Sequence, residues 1–590
     1  MKPTLLIIAY CLLILSATAQ INKSQFISYR PVRLSENEKQ DLKKLIQQYS
    51  ARYDDKEKMV TTKINGYNYH TDAEVGIYHE VRASLAYAVA LLDLDDEKYT
   101  QRAFEIIEKT ITLQDTNKFS PTCGIWPYYL EEPLATKKSP PDFNWADFNG
   151  VSLLDILLDH EAVIPKSLKP KIEQSLICAA RSIQKRNIGP GYTNIAIMGT
   201  YVTYVTAHLL DIPDLKTYAQ QRLKTFYNYT LEKGGFSEYN SPNYTPLALD
   251  ELARMKRHIT NSEAKPMIDS LYAIGWNIIA HHFHQPTGQW AGPHSRSYSS
   301  LIKSNFYGLL KQASNGKIDL GYNEQSIDKK VKHEIPSYLL PYFLTPKYPR
   351  TEVDLFEKSE PVIKGTTYLT DTYTLASASR SSLWNQRRPF IAYWGTIAKP
   401  SYLQVRFLHD SYDFSSASFY SQQKENNILA GINFILNGGD KHISIDQIKT
   451  GKFKAKDLRL RFEFGNYLNP ENLTIPNHIY DPLKITIDHL QFNLQLFYAG
   501  FENMKGHWEK GGDNKSSWID YVVYSGQDKE FDLKTMKEAV LGFTFSIGTS
   551  KDLFLETKPE FTVKDNILDT NWNGFNLKIF TRPSSFAKNL

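Results

Sequence analysis

Cysteine, long apolar runs and clustered charge are all scarce in this sequence. Three cysteines in 590 residues rule out a disulfide-rich scaffold, and the chain has no CxxC or HExxH motif to bind a metal compactly. The formal net charge of +5 is spread along the chain without a dense Lys/Arg face, which excludes the electrostatic footprint of a nucleic-acid-binding protein. No stretch reaches the roughly 18 consecutive apolar residues that a membrane-spanning helix needs.

The first 19 residues have the pattern of a secretory signal peptide. Lys2 gives a positive start, residues 5–15 form an apolar run, and Ala-Thr-Ala at 17–19 offers a small-x-small cleavage site. We therefore expect an exported protein, periplasmic or secreted, without a membrane span. Only Cys123 and Cys178 would remain in the mature chain, either as one disulfide bridge or as two buried thiols.

Aromatic residues, by contrast, are plentiful. They make up 13% of the chain, and tyrosine leads with 37. Aromatic rings stack on sugar faces and the phenol hydroxyl hydrogen-bonds to polar ligands, so this composition hints at a protein that handles sugars. The chain is also too long for one hydrophobic core, which predicts two or three domains.

The first half of the mature chain has helical periodicity. Polar helices are predicted at 97–112, 168–186 and 213–232, and more apolar helices at 148–159, 193–210, 244–258 and 266–283. A capping box at Ser35 and Glu38 starts a surface helix over 34–50, and 76–94 is predicted to be a helix that is apolar on most faces. This alternation is what an α/α toroid of helical hairpins requires, because each inner helix is covered by an outer one. An α-solenoid is the alternative, but the sequence shows no fixed-period repeat.

After about residue 349 the hydrophobic period changes from 3.6 to 2. Strand patterns are present at 366–370, 372–376, 458–464 and from 485 onward, with Gly/Asn/Asp turns between them. We therefore predict a multidomain α+β protein. Its parts are a signal peptide over 1–19, an N-terminal (α/α) toroid catalytic domain over 20–345 and a C-terminal antiparallel β-sandwich domain over 346–590.

Five polar and aromatic clusters are predicted at helix ends or in inter-helix loops of the toroid. The densest is 234–244, which combines a carboxylate, two amides and two phenols between two helices. Because the ends of the inner helices open at one mouth, we expect the clusters to meet in one cleft. The substrate-binding candidates are His79, Arg82, Trp126, Trp145, Glu238, Tyr239, Asn240, Arg296 and, from the β half, Arg387. Each also has a structural interpretation, as a helix cap, rim packing or an ion-pair partner.

The clusters are rich in Tyr, His, Asn and Arg and poor in paired carboxylates. Glycoside hydrolysis needs two carboxylic acids facing one bond, which Glu80, Asp147 and Glu238 could supply. β-Elimination at a uronic acid fits better, because Asn, His or Arg can neutralise the charge that develops on the C6 carboxylate while a Tyr or His takes the proton. A Tyr then protonates the leaving oxygen. A phenol, with a reference pKa of about 10, needs a cation such as Arg296 to act as a base.

Three segments carry a family resemblance. They are Tyr192-Thr193-Asn194 on an inner helix, Glu-Tyr-Asn-Ser-Pro-Asn-Tyr at 238–244, and Gly-Pro-His-Ser-Arg-Ser-Tyr at 292–298. With the β domain that follows, they resemble the toroid-plus-sandwich polysaccharide lyases, a superfamily that includes heparinase II/III-like, alginate and chondroitin AC lyases. The resemblance implies an Asn/His pair that neutralises the uronate carboxylate and a Tyr that acts as acid, often also as base. It implies the catalytic set Asn194, Tyr244, His294 and Tyr298.

The leading hypothesis is thus an exported lyase that cleaves a uronic-acid-containing glycan and leaves a 4,5-unsaturated uronate. The linkage could be rhamnosyl-glucuronate, glucuronan, alginate or glycosaminoglycan. The expected partner is an anionic polysaccharide or oligosaccharide. No cofactor is required and no residue is assigned to a metal, while a structural divalent cation in the β half is left open. The alternatives are a glycoside hydrolase on the same toroid and a non-catalytic glycan-binding protein.

Overall fold

The computed structural model describes residues 26–27, 32–66, 70–322, 328–439, 442, 445, 448 and 450–585. The predicted signal peptide over 1–19 lies outside the described residues. Helices dominate as far as Leu344, and antiparallel strands follow from Arg350. The predicted α+β fold class, a helical N-terminal half followed by antiparallel sheets, is confirmed.

Most of the predicted helices are present with bounds within a few residues of the prediction. In chain order they are α1 (Glu36–Ser50), α2 (Val81–Asp93), α3 (Glu97–Thr112), α4 (Trp145–Asp159), α5 (Lys169–Arg186), α6 (Thr193–Leu209), α7 (Pro213–Lys233), α8 (Tyr244–His258), α9 (Ala264–His282), α10 (Ser304–Ala313) and α11 (Leu340–Leu344). The capping box predicted for α1 is formed by Ser35 and Glu38.

Helices α2 to α9 pack in succession as four hairpins, α2/α3, α4/α5, α6/α7 and α8/α9. The first members, α2, α4, α6 and α8, also contact one another and form the inner layer. Helix α6 is buried without a break from Thr193 to His208, as expected of a helix enclosed by its neighbours. Because each hairpin reverses the chain, the four inner helices run in the same direction. Their N-termini therefore open at one mouth of the toroid and their C-termini at the other.

Two details of the helical half differ from the prediction. The apolar helix expected over 266–283 is α9, which is the outer partner of α8; its outer side is apolar because the short helices over 337–344 pack on it. The segment 76–94 does not begin as a helix. Its first residues, Gly76–His79, form a strand in a three-stranded sheet that the sequence did not predict, because the pairing partners are separate in sequence.

The strands are numbered in the same way. They are β1 (Tyr53–Asp54), β2 (Met59–Ile64), β3 (Gly76–His79), β4 (Phe283–His284), β5 (Gln289–Trp290), β6 (Arg350–Glu357), β7 (Ile363–Leu369), β8 (Tyr373–Ala378), β9 (Arg380–Ser382), β10 (Phe390–Gly395), β11 (Pro400–His409), β12 (Tyr412–Asp413), β13 (Ala417–Lys424), β14 (Asn427–Phe434), β15 (Lys452–Gly465), β16 (Leu483–Ile487), β17 (Leu490–Phe501), β18 (His507–Gly512), β19 (Ser516–Asp532), β20 (Ala539–Gly548), β21 (Glu560–Lys564), β22 (Ile567–Trp572) and β23 (Phe575–Phe580).

The C-terminal half is a sandwich of two antiparallel sheets. One sheet has the order β18-β19-β15-β11-β10-β8-β7-β6, with β12 paired to β11, and the other has the order β16-β17-β20-β14-β13-β9. Aromatic and aliphatic side chains from both sheets fill the space between them, among them Phe407, Phe434 and Phe543. A third sheet, β21-β22-β23, packs on β13 and β14.

The segment 284–301, which follows α9, joins the two halves. His294 and Arg388 exchange two backbone hydrogen bonds of 3.0 Å, and the Tyr393 hydroxyl donates to the Ser300 carbonyl at 2.7 Å. The β half is therefore fixed at the mouth where the inner helices begin.

A buried ion network closes the opposite end. The side chain of Lys330 is 2% exposed, and its Nζ lies 2.7 Å from Asp93 Oδ1 and 2.8 Å from Asp159 Oδ2. These aspartates are the last residues of α2 and α4, so the lysine also meets the negative ends of two helix dipoles.

Candidate active site

A cleft of about 910 Å³ lies at the mouth where the inner helices begin. Three of these helices supply side chains from their first turns: Asn144 and Phe148 at α4, Tyr192 and Asn194 at α6, and Asn243 and Tyr244 at α8. The positive ends of three helix dipoles therefore point towards one cleft, which favours an anionic ligand.

Tyr244 lies at the centre of the candidate site. Its hydroxyl accepts a hydrogen bond of 3.1 Å from Arg296 Nη2 and makes a second, short one with the Tyr298 hydroxyl. Burial raises the pKa of Tyr244 above its usual range, and the nearby Arg296 only partly opposes this. Tyr244 is therefore a neutral phenol, which can donate a proton but is not pre-ionised to act as a base.

Arg296 connects the groups of the cleft. Besides Tyr244, its guanidinium lies 3.4 Å from Glu238 Oε1 and donates from Nε to Gln386 Oε1 at 2.8 Å. The guanidinium carbon also lies 5.6 Å from the centre of the Trp384 ring. Since Gln386 and Trp384 belong to the β half, both halves of the protein determine the position of this arginine.

Glu238 is a buried carboxyl group on the cleft wall. Burial raises its pKa to about 7, while the positive charges of Arg296 and Arg387 act in the opposite direction. Its Oε2 atom is buried and has no hydrogen-bond partner among the described residues. The group can therefore change its charge near neutral pH next to the arginine that contacts Tyr244.

Asn194 lies in the first turn of α6 and is 3% exposed. Its amide oxygen is buried and finds no hydrogen-bond partner in the described part of the chain. A buried amide oxygen without a hydrogen bond costs free energy, which a donor group on a ligand, such as a hydroxyl, can recover.

Tyr239 and Asn240, expected to bind substrate, lie behind the cleft instead. The Tyr239 ring stacks on Phe356 at 4.1 Å between centroids. Asn240 adopts the left-handed backbone conformation, with a φ of 42°, and its Nδ2 donates to the carbonyls of Ala291 and Pro293 at 2.9 Å each. Because the loop that they fix carries Arg296, these two residues shape the cleft without lining it.

His294 is likewise behind the cleft, where burial lowers its pKa to about 3 and keeps it neutral. Its Nδ1 donates to the Asn240 carbonyl at 2.7 Å, which clamps the same loop from the other side. Its Nε2 has no hydrogen-bond partner among the described residues, and the side chain does not line the described cleft. Its catalytic role stays a prediction.

Four further candidates lie around the cleft wall. Trp126 is 1% exposed and donates to the Thr110 carbonyl at 3.0 Å, and Trp145 packs on Tyr128 with 4.4 Å between ring centroids. These are packing roles. The His79 ring contacts Asp54 and Glu131, and the Arg82 guanidinium lies 3.7 Å over the Phe148 ring. Neither side chain is among those that line the described cleft.

The structure brings together six of the predicted residues: Asn194, Glu238, Tyr244, Arg296, Tyr298 and, from the β half, Arg387. It also places two histidines there that sequence reasoning missed, His70 and His442. The His442 ring stacks on Trp384 at 5.0 Å. Both lie in connections between strands, far in sequence from the helix starts that they face, so no local pattern signalled them.

Comparison with known proteins places the chain among similar folds. Residues 46–331 match a family described as Domain of unknown function (DUF8769). Heparinase III aligns with a TM-score of 0.48 and 10% identity, covering 94% of this chain and 92% of that one. The chondroitin AC lyase of Streptomyces coelicolor A3 aligns with a TM-score of 0.44 and 8% identity, covering 94% and 86%. No curated protein matches the sequence.

An endoglucanase, CelQ from Clostridium thermocellum, also aligns, with a TM-score of 0.24 and 11% identity, covering 81% of this chain and 72% of that one. Likenesses at such identities and TM-scores carry no argument about activity, which has to come from the cleft itself.

The described residues lack two kinds of feature. No group of three or more His, Cys, Asp or Glu side chains is placed to bind a metal ion there. Within the same residues, no helix combines the length and the apolar character needed to cross a bilayer.

Proposed function

We propose that the protein is an exported polysaccharide lyase that cleaves a uronic-acid-containing glycan by β-elimination. The observation that carries this proposal is Tyr244, a phenol kept neutral by burial and contacted by Arg296 at 3.1 Å, in a cleft that also contains Asn194. This combination supplies a proton donor beside groups that stabilise a negative charge.

In the proposed reaction the sugar carboxylate faces Asn194 and the start of α6. Removal of the proton at C5 spreads negative charge onto that carboxylate, which amide donors, the helix N-termini and the guanidinium of Arg387 stabilise. The bond from C4 to the glycosidic oxygen then breaks, and Tyr244 gives its proton to the leaving oxygen. The product carries a double bond between C4 and C5.

The proton at C5 needs an acceptor on the cleft wall. Tyr298 and His442 both line the cleft. An imidazole nitrogen has a lone pair that accepts a proton directly, whereas a phenol has to ionise before it can act as a base. We therefore assign His442 as the proton acceptor and Tyr298 as the partner that orients the Tyr244 hydroxyl.

Hydrolysis has weaker support from the same cleft. Of Glu80, Asp147 and Glu238, only Glu238 lines it; Asp147 is 2% exposed and faces Gly199 and Arg222. The other carboxylate of the described lining is Asp142, which accepts hydrogen bonds from the Tyr128 hydroxyl and the Asn144 backbone at 2.9 Å each. A free pair of carboxylates facing one bond is therefore not formed by these residues.

The test is ultraviolet absorbance during incubation with a panel of uronate polysaccharides and rhamnose-capped glucuronate oligosaccharides. A conjugated 4,5-unsaturated uronate absorbs, so absorbance should rise with the wild type and stay flat with Tyr244→Phe. Tyr338→Phe is the matched control, because Tyr338 is 62% exposed and lies outside the cleft. New reducing ends without absorbance would replace the lyase with a hydrolase. Binding of the glycans without either product would replace it with a binding protein.

Export is part of the proposal and rests on residues 1–19. Expression of the full chain in a bacterium with a periplasm should give a mature protein that starts at Gln20. An intact N-terminus in the cytoplasm would contradict export and leave the lyase proposal unaffected.

A further inference from the structure

The loop that carries Cys123 packs on the helix that carries Cys178. Gly124, which follows Cys123, has a φ of 92°, and a Cβ added to it would lie 2.3 Å from the Cys178 carbonyl oxygen and 2.7 Å from Ser182 Cβ. The loop at 122–125 therefore packs directly on α5, against the helical turn that contains Cys178. The Gln114 amide fastens the contact, since its Nε2 donates to the Gly124 carbonyl at 3.0 Å and to the Ser175 carbonyl at 3.1 Å.

Both cysteines are partly exposed, and Cys178 acts electrostatically on the thiol of Cys123. Each cysteine is half-buried and free in this structure. Burial raises the pKa of Cys123, and the neighbouring Cys178 raises it further. An exported protein meets an oxidising compartment, where two adjacent thiols without a metal are commonly joined.

We propose that Cys123 and Cys178 form a disulfide bridge that ties the loop between α3 and α4 to the outer helix α5. The thiolate of one cysteine attacks an external disulfide, which releases one external thiolate and forms a mixed disulfide; the thiolate of the other cysteine then attacks the protein sulfur of the mixed disulfide and releases the second external thiolate. Two protein thiols lose two protons and two electrons in total, and the external disulfide is reduced to two thiols. The contact between Gly124 and the Cys178 carbonyl brings the two backbone segments together next to both cysteines.

The bridge has a consequence for the cleft. The chain between the two cysteines includes Tyr128, Asp142, Asn144 and Phe148, which form one wall of the cleft. A bridge closes this whole segment into a ring and removes conformations from its unfolded state. It would therefore stabilise the cleft wall without touching a ligand.

The experiment uses the mature protein treated with oxidised glutathione, next to the same protein kept reduced. Peptide mass analysis without reductant should show one linked species that contains Cys123 and Cys178, and no thiol should react with a maleimide under denaturing conditions. The melting temperature of the oxidised protein should exceed that of the reduced protein by roughly 5 °C.

The variant Cys178→Ser is the control, and its melting temperature should not change with oxidant. Two reactive thiols per oxidised chain, or a linkage between two chains, would overturn the proposal. Because mass analysis of the wild type needs neither the variant nor an activity, the result is independent of the lyase proposal.

Discussion

Arg296 Nη2 lies 3.1 Å from the hydroxyl oxygen of Tyr244, and the Nε of the same guanidinium donates to Gln386 at 2.8 Å. Tyr244 begins helix α8, whereas Gln386 belongs to the β half. The proposed proton donor is therefore positioned through a residue that the second domain orients. A helical half without its β partner would keep Tyr244 and Arg296 but lose the contacts of Gln386 and Trp384 that position Arg296.

The variant Gln386→Ala tests this dependence. Loss of the hydrogen bond frees Arg296 from its position, and we expect kcat to fall about tenfold, as for removal of one hydrogen bond to a charged group. The KM should change less, because Gln386 acts through Arg296 and not on the substrate carboxylate.

Steady-state kinetics measure both constants, and the melting temperature should stay that of the wild type. Gln527→Ala, at an exposed position of β19, is the matched control. An unchanged kcat in Gln386→Ala would show that Arg296 needs no support from the β half.

The pH dependence of substrate binding should report on Glu238. Burial raises its pKa to about 7, so the group is neutral below that pH and negative above it. The negative form repels a uronate carboxylate and competes for Arg296, so we expect KM to rise as the pH increases through 7. In Glu238→Gln this rise should be absent, because the amide does not ionise.

The measurement is KM over about two pH units on each side of 7, with Glu530→Gln on the exposed part of β19 as control. A lyase should keep its turnover in Glu238→Gln, whereas a hydrolase that uses Glu238 would lose it. The same rise of KM in the variant would assign the titration to another group.

The hydrogen bonds between Asn240 and residues 290–293 should contribute to the stability of the protein. Asn240→Ala leaves the Trp290 Nε1 and the carbonyls of Ala291 and Pro293 without their partner, and we expect a loss of roughly 2–4 kcal/mol in the free energy of unfolding. Denaturant unfolding measures this loss.

The loss in Asn240→Ala has two possible causes, the missing hydrogen bonds and the strain of alanine at a positive φ. Asn240→Gly separates them, since glycine tolerates the positive φ but cannot form the hydrogen bonds. It should be nearly as destabilised as the alanine variant. Asn566→Ala, at an exposed position with a φ of 61°, is the control for backbone strain alone, with about 1 kcal/mol expected. If Asn240→Gly is as stable as the wild type, the side-chain hydrogen bonds of Asn240 contribute little to the free energy of unfolding.

Lys330, which is buried at the end of the toroid opposite the cleft, should contribute more to the free energy of unfolding than an exposed lysine does. Lys330→Met leaves the carboxylates of Asp93 and Asp159 buried without their shared cation, and we expect a loss of about 3–5 kcal/mol in the free energy of unfolding. Lys332→Met is a close control, because Lys332 is 47% exposed and its ion pair with Glu38 is worth at most about 1 kcal/mol. Equal losses in the two variants would contradict a special role for the network.

The helices could be predicted because their signals are local. The bounds expected for 97–112 and 244–258 are those of α3 and α8, since an amphipathic or apolar repeat over four turns decides both the element and its buried face. The strand Gly76–His79 could not be predicted in this way, because a strand is stabilised by pairing with residues elsewhere in the chain.

In the candidate site, too, the residues on helix starts could be predicted from local sequence and those on loops could not. Asn194 and Tyr244 were predictable because each lies in the first turn of an inner helix, a position that the helix pattern itself defines. His442 was not, because it reaches the cleft from a loop that follows β14. Tyr239 and Asn240 had suitable chemistry for a ligand, but whether a loop side chain faces the cleft or the packing behind it depends on tertiary contacts that the sequence does not display.

Because the inner helices run in the same direction, the connections at the two ends of the toroid differ in length. Connections at the Lys330 end, such as 94–96 and 210–212, are short, whereas those at the cleft end, such as 113–144 and 283–303, are long. Length and sequence can change in 113–144 without moving the helix starts that carry Asn194 and Tyr244, whereas 283–303 carries Arg296 and joins the two halves. Under the proposed function, a change of glycan preference would therefore arise from loop exchange at the cleft end, while the other end keeps the helices in place.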